Sequence, residues 1–179
     1  MSGHNKWSKI KHKKAASDAE KSRIFSKHAA AIAVESRKAG GDISSPGLAA
    51  AIERAKKDSM PKDNIERAVS KGGGAGGAAL EEVVFEAFGP GGAALVITAV
   101  TDNNNRTAPE IRHILSKAGY ELGAPGSAAW AFTKTEGRYV PQHPLELSNE
   151  DGEKLAELIE ALEEQDDVQD VYTTADTEE

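Results

Sequence analysis

The sequence contains no cysteine. That removes disulfides, thiol nucleophiles and zinc centres built on thiolates, and it fits a reducing compartment. No run approaches the ~18 apolar residues of a membrane span. The first seventeen residues hold no acid, and no apolar stretch follows their cations, so the start does not read as a secretory signal. It runs without a break into a helical pattern, which argues against a transit peptide. These absences lead us to expect a cytoplasmic protein with neither membrane nor redox chemistry.

What is present is a division of charge. The chain is acidic, at formal net charge -7 over 179 residues. Residues 1–71 nevertheless hold 16 Lys and Arg against 8 Asp and Glu, a balance of +8. Residues 72–179 hold 6 against 21, a balance of -15. Such asymmetry predicts one part that meets a polyanion and one that does not.

The pattern along the chain predicts an α+β fold in two domains. Residues 1–16 read as a basic arm. Ser17-Asp18-Ala19-Glu20 has the spacing of a capping box, opening a helix to about Ala39 that Gly40-Gly41 stops. Ser45-Pro46 opens a second helix, ending near Asp58. Met60-Pro61 opens a third, through Lys71, stopped by Gly72. Apolar positions recur at helical spacing in each, as in Phe25, Ala29 and Ile32. We therefore expect an arm and a three-helix domain over 1–71, and a glycine-rich linker over 72–80. The linker's G-x-G-x-x-G spacing has a helix before it and a strand after it, the reverse of a dinucleotide site.

Residues 81–179 read as an α+β sandwich with a mainly antiparallel sheet. EEVVFEAF and AALVITAV are strand-like and joined by Gly89-Pro90-Gly91-Gly92. Thr107-Ala108-Pro109-Glu110 has the spacing of a second capping box, predicting a helix that starts there and stops at Gly119. SAAWAFTK (127–134) predicts a strand that RYV (138–140) can pair. Residues 149–164 form an amphipathic helix, and DVQDVY (167–172) a last strand. The helices are expected on one face of the sheet.

Two regions are candidates for phosphate contact. In the arm, Lys6, Lys9, Lys11, Lys13 and Lys14 surround Trp7 and His12. Lysines neutralise phosphates and release counterions, which gives affinity without reading bases. Trp7 either stacks on an unpaired base or pins the arm to the helices. On the first helix, Arg23, Lys27, Arg37 and Lys38 project to one side, around Ala30 and Val34, and continue the arm as a basic stripe. The second region is TDNNNRT (101–107), a polar loop between strand and helix. Asn103, Asn104, Asn105 and Arg106 there suit either an anion at helix amides or plain turn chemistry.

Nothing in the sequence predicts catalysis, a cofactor or a metal. Histidines 4, 12, 28, 113 and 143 have no ligand spacing, and no serine sits in a G-x-S-x-G context.

GHNKWSKIKHKKAASDAEKSRIFSK, MPKDNIERA, FGPGG, TDNNNRT and AGYELGAPGSAAWAF resemble the YebC/PmpR family, in the same order. The ending LIEALEEQDDVQDVYTTAD resembles that family's ending too. The family includes the mitochondrial translational activator of cytochrome c oxidase subunit I. The resemblance implies a helical N-terminal domain, an α+β body and no catalytic site. It implies either DNA-binding transcriptional regulation or action in translation on the ribosome. Typical members carry a third domain inserted after the strand like 127–134. Here TEGRYVPQHPLEL leaves room for a hairpin only, so the chain reads as a short form without that domain.

Together these readings predict a non-enzymatic nucleic-acid-binding regulator of gene expression, associated with ribosomal RNA. The alternatives are a DNA-binding transcriptional regulator and a protein–protein adaptor docking an acidic partner.

Overall fold

The computed structural model describes residues 17–74 and 79–176. By contact these divide into two compact units. One comprises 17–83 with 100–104, the other 84–99 with 105–176.

The helical unit is built on local signals. Helix α1 spans Asp18–Lys38. The Ser17 hydroxyl accepts from the Glu20 amide at 3.3 Å, and the Glu20 carboxylate accepts from the Ser17 amide at 2.7 Å. This reciprocal pair satisfies two of the orphan donors that every helix start exposes. Helix α2 spans Pro46–Lys57 and α3 spans Lys62–Gly73. The predicted stop at Gly72 is overrun. Gly72 is buried against α1, where a Cβ would overlap the Ala33 carbonyl oxygen, so glycine there serves helix contact rather than termination. Ile32, Leu48, Ala51, Ala55, Met60, Ile65 and Ala68 form the core, with Phe25, Ala29 and Val69 packed at its edge. The buried Ser36 hydroxyl donates to the Val69 carbonyl at 2.7 Å, tying α1 to α3.

The second unit is organised around a four-stranded sheet, in the order β3-β1-β2-β6. Strand β1 is Glu81–Phe88, β2 Ala94–Thr101, β3 Leu122–Gly123 and β6 Val168–Thr173. The β1–β3 and β2–β6 pairs are antiparallel. A 3-10 turn at Pro90–Gly92 joins β1 to β2, with Gly91 at φ 67 and Gly92 at φ 80, angles that glycine adopts without strain. Nearly all of β2 is buried, as expected of a central strand. Successive side chains of a strand face opposite ways. Leu95 lies with Leu155 and Leu158 of α5 (Asn149–Glu163) around Gly89. Ala94 and Val96, on the other face, cluster with Ala128 and Phe132, and Tyr139 and Tyr172 pack against that cluster. A separate hairpin, β4 (Phe132–Thr135) with β5 (Arg138–Pro141), supplies Phe132 and Tyr139 to it.

The α+β class and the mainly antiparallel sheet agree with the sequence reading. Three local expectations need correction. Helix α4 spans Asn104–Lys117, so it starts before Thr107 and no capping box forms there. Thr107 is fully buried, and its hydroxyl donates to Asp167 at 2.7 Å. Residues 127–131 are not strand: Ala129–Ala131 form a 3-10 turn and the strand begins at Phe132. The two-residue edge strand β3 had no signal in the sequence.

Candidate nucleic-acid interface

Lys6, Trp7, Lys9, Lys11, His12, Lys13 and Lys14 lie outside the described residues. Five of the cations on which the polyanion reading rests are therefore known from sequence alone. Residues 17–74 carry eleven Lys and Arg against eight Asp and Glu, so the helical unit itself is only mildly basic.

The stripe on α1 is more structured than its periodicity suggests. Arg23 and Lys27 are half-buried, while Arg37 and Lys38 are exposed. Val34, expected on the solvated side among these cations, is buried. It floors a hollow of about 130 Å³ with Ala33 and Leu80, rimmed by Arg37, Lys38 and Lys71. The physical reason is non-local: Leu80 and the end of α3 cover that part of α1. Lys71 was not among the sequence candidates, since its helix alone gives no hint that it joins the α1 cations.

Lys38 already has anionic company. Its Nζ donates to Glu82 at 2.7 Å and to Glu35 at 2.9 Å. Burial works to lower its pKa, but the hydrogen bonds and charges of Glu82 and Glu35 outweigh it and hold the ammonium above its ordinary value. Lys38 is thus firmly charged, and a phosphate would compete with two carboxylates for it. Arg37 and Lys38 also lie in the last turn of α1, where cations complement the helix dipole.

The second candidate region is separated by the structure into different roles. Asn103 and Asn105 are exposed, and Asn104 is half-buried. The Asn103 amide donates to the Thr101 hydroxyl at 2.9 Å, which is turn chemistry. Arg106 donates to both oxygens of Asp167, at 3.3 and 3.1 Å. Asp167 also accepts from Thr107 and from Gln165. Burial works to raise the Asp167 pKa; the bonds from Thr107, Arg106 and Gln165 outweigh it and hold the carboxyl below its ordinary value. Gln165 donates in addition to Glu110 at 2.6 Å. The arrangement bolts the head of α4 to the turn before β6, and gives Arg106 a structural carboxylate where a phosphate contact was expected.

No group of three or more His, Asp or Glu side chains among the described residues is arranged to hold a metal ion. No helix among them is long and apolar enough to cross a membrane.

Comparison with known proteins decides the family. The model of the TACO1/YebC N-terminal domain matches residues 5–75. The model of the TACO1/YebC second and third domain matches residues 80–137 and 131–175. The chain belongs to the TACO1/YebC family. A relative from Fervidobacterium nodosum is 38% identical, covering 98% of this chain and 94% of its own length. Another, from Thermotoga maritima, is 35% identical, covering 97% and 93%. Both are named probable transcriptional regulatory proteins. A crystal structure of a conserved hypothetical protein from Aquifex aeolicus superposes with a TM-score of 0.82 at 32% identity, covering 96% of each chain. The first alignment runs over 237 positions against the 179 residues here, so the relatives carry several tens of residues that this family member lacks. The second family model is matched in two stretches that overlap at residues 131–137, which span the start and turn of the β4–β5 hairpin. That is where the sequence left room for a hairpin and not for a third domain.

Proposed function

We propose that this regulator of the TACO1/YebC family acts without catalysis, by binding nucleic acid through phosphate contacts. The observation that carries the reading is the charge division: +8 over residues 1–71 against -15 over the remainder. The lysines of residues 6–14 supply the main contact, and Arg23, Lys27, Arg37 and Lys38 extend it along α1. Lys71 joins them at the rim of the α1 hollow. The acidic remainder keeps the rest of the chain soluble and off the polyanion. Asn103, Asn104 and Asn105 offer at most a secondary contact, because Arg106 beside them is engaged by Asp167.

The target that fits best is structured RNA of the ribosome, which places the protein in translation. The α1 side chains involved are Lys, Arg and small residues. They suit recognition of backbone and shape, as in structured RNA, and offer no base-reading set for a major groove. The names of the relatives favour a second reading, duplex DNA at promoters. Cosedimentation with ribosomes under competition from duplex DNA separates the two. Ribosome binding that resists the DNA, and disappears in a Lys11→Glu/Lys13→Glu/Lys14→Glu protein, is the expected result. Binding that transfers to the DNA supports the transcriptional reading. Binding that survives nuclease treatment means a protein adaptor instead.

A further inference from the structure

Among the described residues of the α+β unit, Trp130 is the most exposed aromatic side chain, ahead of Phe88. Trp130 is 68% exposed. Its ring is nevertheless fixed, because the indole N–H donates to the Ser127 carbonyl at 2.8 Å. The loop beneath it is fixed in turn by a buried carboxylate. Glu86 on β1 is 6% exposed and accepts from the amides of Gly126, Ala128 and Ala129, at 2.6, 3.1 and 2.6 Å. Hydrogen bonds to an ionised acceptor are the strong ones, and three of them here order the segment that ends at Trp130. A side chain held in the open by a supporting layer is pre-organised for contact, since little freedom is left to lose on binding.

The charge around it is the second observation. Residues 72–179 hold 21 acids, yet between Glu121 and Glu146 the one acid is Glu136, against Lys134 and Arg138. Both cations lie on the hairpin that starts two residues after Trp130. Lys134 Nζ sits 5.6 Å from the centre of the Tyr139 ring, and Arg138 is exposed on β5. A fixed indole at the root of a hairpin with two cations, in an acid-poor window, has the parts of a single-strand contact: a π-face for a base and positive charge for its phosphates.

We infer that Trp130 is a stacking platform for an unpaired base of a single-stranded nucleic acid, with Lys134 and Arg138 meeting the flanking phosphates. This rests on the nucleic-acid reading above and adds a contact far along the chain from the basic arm. Stacking of this kind tolerates any base, so it adds affinity and positioning rather than sequence choice.

The chain has two tryptophans, so a Trp7→Phe protein leaves Trp130 as the sole indole. That protein is titrated with a short oligouridine, and its indole fluorescence and the anisotropy of the labelled oligonucleotide are followed in parallel. Saturable quenching with the same midpoint as the anisotropy is expected. In the otherwise unaltered chain, Trp130→Ala lowers affinity roughly tenfold, while Trp130→Phe keeps most of it. Lys134→Glu/Arg138→Glu weakens binding and flattens its salt dependence. Full binding with unchanged indole fluorescence, together with Trp130→Ala binding as tightly as the parent, overturns the inference and leaves the nucleic-acid reading standing. No RNA binding by the unaltered chain overturns both.

Discussion

The helical unit and the α+β unit use their acidic residues in opposite ways. In the helical unit the acids stay at the surface: Glu53 pairs with Lys56, Glu66 with Lys62, and Asp58 with His28. The core of its three helices is apolar and rich in alanine, and the buried Ser36 hydroxyl there is bonded to the Val69 carbonyl. In the α+β unit two carboxylates turn inward and act as struts. Glu86 orders the loop at 126–129, and Asp167 bolts α4 to the turn before β6. The comparison teaches that the acidity of residues 72–179 is not only a solvated coat. Part of it orders backbone within the fold, a task that in the helical unit falls to the Ser17–Glu20 pair at the head of α1.

The largest expected effects come from breaking each unit at its own kind of support. Leu48 is fully buried among α1, α2 and α3, and Leu48→Ala should cost roughly 3 kcal/mol, read by urea denaturation. Glu86→Ala should cost about as much, roughly 3 kcal/mol, because it leaves the three amides that donate to the carboxylate without their acceptor. A cost under about 1 kcal/mol for Glu86→Ala would mean that the loop orders itself and the comparison is wrong.

A smaller effect carries a diagnostic sign. Gly→Ala within a helix normally stabilises by about 1 kcal/mol. Gly72→Ala should instead destabilise by roughly 2 kcal/mol, since the new methyl meets the Ala33 carbonyl and pushes α3 off α1.

Acid sharpens the contrast further. Burial raises the Glu86 pKa, but the amides of Gly126, Ala129 and Ala128 outweigh it and hold it below the ordinary carboxylate value. Asp167 is held low as well. A carboxyl depressed in the folded state contributes stability that is complete above its unfolded pKa, near 4. That stability is lost as pH falls through the lower folded value. Urea midpoints reporting on the α+β unit should therefore hold steady from pH 7 to about 5 and fall below about 4. Glu86→Gln should flatten that fall. A fall of the same steepness in Glu86→Gln would assign the acid sensitivity to other groups.

The smallest effect is at Arg106. The side chain is 46% exposed, so solvent screens its pair with Asp167. Arg106→Ala should cost about 1 kcal/mol or less. Binding of nucleic acid should be nearly unchanged in that variant. A large loss of binding with stability intact would restore Arg106 as a phosphate contact.

What the sequence made legible was what neighbours in the chain decide. Ser17 with Glu20, Pro46 at the head of α2 and Gly119 after α4 are local signals, and those boundaries agree with the structure. Thr107-x-x-Glu110 is as good a capping pattern as Ser17-x-x-Glu20. It fails because Thr107 finds Asp167, sixty residues away, and α4 gains three residues ahead of it. Val34 follows the period of the α1 cations yet is buried, since Leu80 and Gly72 arrive from elsewhere in the chain. Glu86 reads as an ordinary polar residue of an alternating strand; only the return of residues 126–129 makes it a strut. In the candidate interface the sequence located the cations by number, while their carboxylate partners at Lys38 and Arg106 needed the fold.

The central claim is that residues 1–71 meet a polyanion through phosphate charge. The most direct test is the affinity of the full chain for nucleic acid across a salt series. With about five cations on phosphates, log affinity should fall against log salt with a slope of roughly -3.5 for single strands or -4.5 for duplex DNA. Losing three of those contacts in the Lys11→Glu/Lys13→Glu/Lys14→Glu protein should reduce the slope by roughly 2 on single strands or roughly 2.7 on duplex DNA. Affinity that is flat with salt, or a slope unchanged by that variant, would contradict the account.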